Sequence, residues 1–311
     1  MKSKFGKMLA ILLALTMVLS LAACGKRGEN ETTTTLQETT LGSDETTSGD
    51  GGTTNPDETT SEGETTTAVE PESTTEAIIV PAGLPKGNAE ILAAYTAVMN
   101  KAKIEDKPGF KRAEFQELPG GPEYRDISGG GKVIDALLNI VGNYMTTEEK
   151  ARNKPHSQGK GENMWAWPIR DAPKGCMLTD VNAIKSADCK ELPNGDYKIV
   201  ITLKPEKNPE HHRPHHGNSA PSKTGGMFMP LSKSDIDPEL AKYSKVIKDH
   251  KYDMEYYNCT ATLIYDPKTL HVKSVDHVLY NKITMSGKVL FIPAAGWQVL
   301  IMHYQIFDVI Y

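Results

Sequence analysis

The chain has 311 residues, a formal net charge of −5 and four cysteines. The charge is unevenly spread, because residues 1–23 carry +3, residues 24–77 carry −11 and residues 78–311 carry +3. Residues 78–311 are therefore nearly neutral. Because no basic stripe with interleaved aromatic side chains runs through them, we do not expect a nucleic-acid partner.

Residues 1–23 have the parts of an export signal. Lys2, Lys4 and Lys7 precede a mostly apolar run of 14 residues, which is shorter than the roughly 20 residues of a membrane-spanning helix. The run ends in Leu21-Ala22-Ala23-Cys24, which resembles the lipobox of bacterial prolipoproteins. The alternative is an ordinary signal peptide that happens to end near a cysteine.

The lipobox resemblance implies a location for the mature protein. Signal peptidase would cut before Cys24, and the Cys24 thiol would carry diacylglycerol, so that acyl chains such as palmitate hold the protein in the membrane. We therefore expect a lipoprotein that is anchored in the cell membrane through Cys24 and faces the extracellular side.

Residues 24–77 comprise this cysteine and a polar tether. Thr, Glu, Ser and Gly dominate residues 25–77, and apolar residues are almost absent, so hydrophobic burial cannot offset the entropy of ordering the chain. A flexible coil of this length has an end-to-end distance of roughly 40 Å. Such a disordered linker favours a Gram-positive cell surface, where a domain must reach into a thick wall.

Residues 78–311 are predicted to form a single globular domain. Apolar residues at helical spacing predict a helix over 91–102, and a strand is expected over 110–118. After a joint at Gly129-Gly130-Gly131, a second helix is predicted over 133–144.

The pattern then changes to the period of two that is typical of strands. An Asn194-Gly195 turn joins strands predicted over 187–192 and 197–203. A third helix is predicted from Asp237, with Pro238 in its first turn.

A long hairpin is predicted next, with strands over 252–265 and 271–283. The last run, 297–311, has apolar residues at odd and even positions, which predicts a strand covered on both faces. Helices first and long hairpins later favour an α+β fold, in which a few helices pack on an antiparallel, curved sheet.

This order of elements resembles that of uncharacterised surface lipoproteins of Clostridia-type bacteria. It is also loosely similar to the lipid-carrying lipoproteins built on a half-barrel sheet with helices over its concave face. The second resemblance implies an apolar cavity and a hydrophobic small molecule as ligand. A cell-wall component is the other ligand class that we expect for a tethered surface domain.

A histidine tract, His211-His212-Arg213-Pro214-His215-His216, lies in a loop over 204–226 that is rich in Pro, Gly, Asn and Ser. Imidazole is a common ligand of zinc and nickel. The tract therefore predicts labile zinc or nickel binding by four side chains, His211, His212, His215 and His216. The alternative is a solvated, mobile insertion, and no other cofactor is indicated.

Trp165 and Trp167 stand two residues apart. On a strand they would share a face, where paired aromatic rings can bind a sugar or an apolar ligand. The alternative is that they anchor an irregular segment to the core.

Three cysteines remain if Cys24 is lipidated: Cys176, Cys189 and Cys259. An odd number allows at most one internal disulfide. Cys189–Cys259 is the preferred pair, because both residues fall in predicted strands. The alternative is three buried, reduced thiols.

Catalytic motifs are missing from the sequence. It contains no Gly-x-Ser-x-Gly, His-Glu-x-x-His or Cys-x-x-Cys, and no pair of carboxylates stands out for acid–base chemistry. We therefore expect a non-enzymatic binding or interaction module. The alternatives are a metal-collecting lipoprotein that uses the histidine tract and an envelope hydrolase without a recognisable motif.

Overall fold

Nine antiparallel strands form one sheet in the part of the chain that the computed structural model describes. That part comprises residues 83–128, 155–170, 172–212, 221–241, 244, 247–289 and 292–311. Five features predicted from the sequence lie outside it: the lipobox with Cys24, the tether over 24–77, the glycine joint, the helix over 133–144, and His215 with His216.

Three long strands make the centre of the sheet, and six shorter strands flank them. The strands are β1 (Gly109–Glu117), β2 (Arg125–Ser128), β3 (His156–Gln158), β4 (Ile184–Glu191), β5 (Tyr197–Leu203), β6 (Glu206–Lys207), β7 (Ile247–Tyr265), β8 (Val272–Val289) and β9 (Ile292–Ile310). Their order is β3-β1-β9-β8-β7-β5-β4, while β2 also pairs with β9 and β6 with β7. The described residues therefore form a sheet-dominated α+β structure.

The predicted hairpins are confirmed. Glu191 of β4 pairs with Tyr197 of β5, and Gly195 in the turn between them has a φ of 83°, which glycine adopts without strain. The long hairpin is β7–β8. It extends beyond the prediction at the end away from its turn, where Ile247 pairs with Val289.

Residues with positive φ mark the irregularities of the sheet. The β7–β8 register shifts between Lys248 and Lys251 and again between Tyr257 and Thr260. Asp249 and Asn258 have φ values of 50° and 48° at these places. Each extra residue bends its strand and increases the local twist, which is consistent with the curved sheet that we predicted.

The first predicted helix is α1 (Gly87–Lys101). One wider turn, Ala102–Asp106, continues it, and the left-handed Lys107 (φ 44°) ends it. The apolar side of α1 is buried and packs against β4 and β5 on one face of the sheet. Within the described residues, no helix combines the length and the hydropathy needed to cross a bilayer.

The second helix of the described residues, α2 (Lys233–Ala241), begins four residues before the predicted start at Asp237. The reason is a local cap, because the Asp235 carboxylate accepts hydrogen bonds from the Ser232 N–H and hydroxyl, both at 2.9 Å. These bonds make Ser232 the cap residue directly before the first helical residue, Lys233, and Pro238 therefore lies inside the helix.

The core lies on the face of the sheet that α1 covers. Alternate residues of β8 are buried there: Val275, His277, Leu279, Asn281 and Ile283. The prediction that the last strand is covered on both faces is confirmed only for its first half. Residues 298–302 of β9 are all buried, whereas Phe307 is half-buried.

Candidate functional site

A short irregular segment, residues 164–170, lies over the core face of the sheet beside β1 and β9. Trp167 in this segment is fully buried, and its ring packs edge-on against Phe110 of β1 with centroids 5.2 Å apart. The Tyr304 hydroxyl of β9 donates a hydrogen bond to the Ala166 carbonyl. The segment is therefore tied to both strands.

The end of α1 supplies a third attachment. The buried Lys103 ammonium donates hydrogen bonds to the carbonyl oxygens of Trp167, at 3.1 Å, and of Ile169. Because these contacts come from separate parts of the fold, they fix the segment's backbone relative to the sheet.

Four side chains meet where this segment reaches the surface. We call them the arginine corner: Arg112 and Glu114 of β1, and Trp165 and Arg170 of the segment. The Arg170 Nη2 atom lies 2.6 Å from the Glu114 Oε2 atom, and the Arg112 Nη1 atom lies 3.9 Å from the same oxygen. Two guanidinium groups thus converge on one carboxylate oxygen.

Trp165 is the exposed member of the corner. Its side chain remains 46% exposed, and its backbone N–H donates to the Asn163 side-chain oxygen at 3.0 Å. The guanidinium carbons of Arg112 and Arg170 lie 5.3 and 5.6 Å from the ring centroid, within cation–π range. The indole is therefore held in place while much of it faces solvent.

A small pocket opens behind Glu114. Its wall includes Gln116, Pro168, Met229, His277, Met302 and Tyr304. The cavity volume is about 30 Å³, which is room for one or two water molecules. The pocket does not accommodate an acyl chain, so this site differs from the lipid cavity that the half-barrel resemblance implies.

The ionisable groups at the base of this pocket are neutral near pH 7. His277 is fully buried, and its Nε2 atom lies 2.8 Å from the Tyr95 hydroxyl. Burial lowers the pKa of His277 to about 3 and raises the pKa of Tyr304 to about 12. Proton transfer by either group at neutral pH would require that group to leave its preferred protonation state.

The three described cysteines are free thiols, so the predicted Cys189–Cys259 disulfide is wrong. Cys189 lies on β4 and Cys259 on β7, and β5 pairs between them. Strands that are two apart are separated by about 9–10 Å, and a disulfide needs Cα atoms within roughly 7 Å. Burial raises the pKa of Cys189 to about 11 and that of Cys259 to about 12, so both stay protonated.

The first two histidines of the tract are packed against the fold. His212 is buried, and the His211 Nε2 atom lies 3.2 Å from the Asp235 Oδ2 atom at the start of α2. Thr224, beyond the tract, is also buried, so residues on both sides of the tract pack against the fold. The described residues contain no group of three His, Cys, Asp or Glu side chains that could hold a metal. Since His215 and His216 are outside them, metal binding stays a prediction.

The two tryptophans do not share a face. Trp165 lies within a single 3₁₀ turn, Met164–Ala166, and Trp167 directly follows that turn, so neither lies on a strand. Trp167 enters the core while Trp165 stays outside. Sequence reasoning named Trp165 and missed its partners Arg112, Glu114 and Arg170. Arg112 and Glu114 share a strand face, but nothing local connects them with Arg170, which is 56 positions from Glu114.

No family model, curated protein or solved structure matches the chain.

Proposed function

We propose that this protein is a lipid-anchored extracellular binding module without catalytic activity, and that it contacts a cell-wall component at the arginine corner. The observation that carries this proposal is Trp165. A large aromatic side chain that is 46% exposed and held by two guanidinium groups contributes little to the core. Exposed, rigid aromatic residues flanked by arginine are typical of binding surfaces.

The sequence supports the extracellular setting. Cys24 in its lipobox context would anchor the chain, and the polar stretch over 25–77 would give the domain reach. Membrane attachment and ligand contact would then use separate parts of the chain. The pocket behind Glu114 of the corner has a volume of only about 30 Å³, which favours a ligand bound at the surface over an enclosed lipid at this site.

The binding proposal is tested by sedimentation with purified, insoluble Gram-positive cell walls. We expect the full chain to sediment with the walls and the Trp165→Ala variant to stay largely in the supernatant. Trp297→Ala is the matched control, because Trp297 is a half-buried tryptophan that also faces a cation, the Lys282 ammonium, at 4.1 Å. Equal sedimentation of all three proteins would exclude the arginine corner as the contact site.

The anchoring proposal is tested by replacing Cys24 with serine in cells that express the full chain. Serine has no thiol to accept diacylglycerol, so we expect the protein to move from the membrane fraction to the medium and to lose labelling by a palmitate analogue. A Cys189→Ser variant is the control, since Cys189 lies in β4. Unchanged labelling of the Cys24→Ser protein would contradict lipidation at this residue.

A further inference from the structure

We infer that the arginine corner binds a sugar that carries an oxyanion, a carboxylate or a phosphate, within an acidic polysaccharide. This inference rests on the proposed function and specifies the ligand class for the same site. Two features of the corner, the convergence of its guanidinium groups and the exposed indole beside them, lead to it.

The geometry of the two guanidinium groups already favours an oxyanion. Both lie close to the Glu114 Oε2 atom, at 2.6 and 3.9 Å, so the two nitrogen atoms are no more than about 6.5 Å apart. Arginine binds carboxylate and phosphate groups through paired N–H donors, often two at once. The Glu114 carboxylate therefore occupies a position where a ligand oxyanion would be stabilised.

The arginines are also held in position before any ligand arrives. Their side chains are only 14% and 22% exposed, and the Arg112 charge acts on the buried Tyr304 hydroxyl, which donates to Ala166. The Arg170 backbone N–H contacts the Met229 sulfur at 3.1 Å. Little conformational entropy is lost when such fixed groups bind, and their partial burial reduces screening by solvent.

The indole of Trp165 adds a different kind of contact. A sugar ring has an apolar C–H face that packs on an aromatic ring, whereas its substituents lie at the rim of the ring. A guanidinium group that lies over an indole directs its N–H donors outward in its own plane, where they remain available to an oxyanion. A single acidic sugar residue can therefore contact the indole with its C–H face and the arginines with its oxyanion.

This combination favours a polysaccharide over the surface of an anionic bilayer. Peripheral binding to a bilayer needs buried apolar area in addition to basic residues, and the corner offers one partly exposed indole. Binding to lipid vesicles is accordingly an outcome of the test that counts against the inference.

Glu114 provides the most discriminating variant, because the inference assigns it a competing role. The Glu114→Gln replacement removes the negative charge that competes with the ligand, so it should strengthen the binding of an anionic ligand. If Glu114 only supported the fold, the same replacement would weaken binding. Glutamine has nearly the same shape as glutamate, and thermal unfolding of the variant checks that it folds.

The experiment is calorimetric titration with defined probes at low and high salt. Every protein carries Cys24→Ser as an additional change, because an acylated Cys24 would insert into the vesicles by itself and detergent would dissolve them. The probes are an oligogalacturonate, its neutral methyl ester, a glycosylated poly(glycerol phosphate) and phosphatidylglycerol vesicles. The proteins are the wild type, Arg112→Gln, Arg170→Gln and Glu114→Gln. Lys111→Gln is the control, since Lys111 is an exposed cation of the same strand that pairs with Asp308 at 2.9 Å.

We expect at least one of the two acidic polymers to bind about tenfold or more tightly than the neutral ester, because one lost charge-assisted hydrogen bond costs at least about 1.5 kcal/mol. Either arginine replacement should lose a similar factor, Glu114→Gln should gain affinity, and Lys111→Gln should match the wild type. High salt should weaken binding. The preferred acidic polymer identifies carboxylate or phosphate as the oxyanion.

Two results would overturn the inference while leaving the proposed function intact. One is equal binding of the acidic and neutral oligosaccharides together with weaker binding by Glu114→Gln. The other is binding to the vesicles alone. The proposed function fails separately, if Trp165→Ala sediments with cell walls as the wild type does.

Discussion

Trp165 and Trp167 stand two residues apart in one segment and occupy opposite environments. Trp167 is fully buried against Phe110, whereas Trp165 is 46% exposed beside two arginines. The inner side of the segment is held by the Tyr304 hydroxyl and the Lys103 ammonium. The outer side carries Trp165 and Arg170 of the arginine corner.

One short segment therefore has an inner side that stabilises the fold and an outer side that is open to a ligand. Contacts on the inner side fix the backbone, and the fixed backbone in turn orients Trp165 and Arg170 on the outer side. Replacements on the inner side should therefore change the free energy of unfolding, and replacements on the outer side should change ligand binding. Variants of the segment and of Lys103 test this division, and the pH dependence of His277 tests the core face of the sheet. They are given in order of the expected effect on stability.

Trp167→Ala should have the largest effect on stability. Removing a buried aromatic side chain leaves a cavity and costs about 3–5 kcal/mol of unfolding free energy. Urea unfolding of the variant and the wild type measures the difference. Trp167→Phe is the matched variant, because it retains a ring beside Phe110, and it should cost clearly less. A loss below about 1 kcal/mol for Trp167→Ala would mean that the inner side does not anchor the segment.

Lowering the pH should destabilise the protein through His277. Burial lowers its pKa to about 3 in the folded state, against 6.5 for an ordinary histidine. Above pH 6.5 neither state binds a proton here, so the contribution to stability is constant. Below pH 6.5 the unfolded chain takes up a proton, and unfolding free energy falls by up to about 1.4 kcal/mol per pH unit until pH approaches the folded pKa.

The measurement is urea unfolding of the wild type and His277→Gln at pH 7 and pH 5. We expect the wild type to lose about 2 kcal/mol more than the variant over this range. Glutamine does not ionise and can still accept a hydrogen bond from the Tyr95 hydroxyl. Identical pH dependence in both proteins would show that His277 is not kept neutral by the fold.

Lys103→Met should cost about 1–3 kcal/mol, because the carbonyl groups of Trp167 and Ile169 would lose a buried donor. Urea unfolding measures this loss, and Lys111→Met is the control. Lys111 forms an exposed ion pair with Asp308, which is worth roughly 0–1 kcal/mol. Since Lys103 positions the segment, the variant should also sediment less well with cell walls. Unchanged sedimentation would show that the arginine corner does not depend on the hydrogen bonds of Lys103.

Local sequence signals predicted much of the described fold. The helical spacing before Pro108 gave the position of α1, and the Asn194-Gly195 turn gave the β4–β5 hairpin. The start of β7 was missed because residues 248–251 are polar and do not alternate. Their strand conformation comes from pairing with β8, a contact between distant residues that no short window of sequence contains.

The candidate site could be predicted only in part, for a similar reason. Trp165 was noticeable because it stands two residues from Trp167. Its exposure depends on a 3₁₀ turn, which places the two rings in different environments rather than on the expected shared face. Arg112 and Arg170 come together because the segment over 164–170 lies over the core face of the sheet, next to β1. The Cys189–Cys259 pairing could not be judged from the sequence, because it depends on the strand order, in which β5 lies between β4 and β7.

Trp165→Ala should have the smallest effect on stability and the clearest effect on binding. The side chain loses two cation–π contacts at a half-exposed position, worth about 0.5–1 kcal/mol each, and leaves no cavity in the core. Urea unfolding should therefore give a loss well below that of Trp167→Ala, while cell-wall sedimentation falls. If the two alanine variants lose equal stability, Trp165 is part of the folding core. The division between the inner and outer sides of the segment would then be wrong, and weaker sedimentation of the Trp165→Ala protein would reflect unfolding.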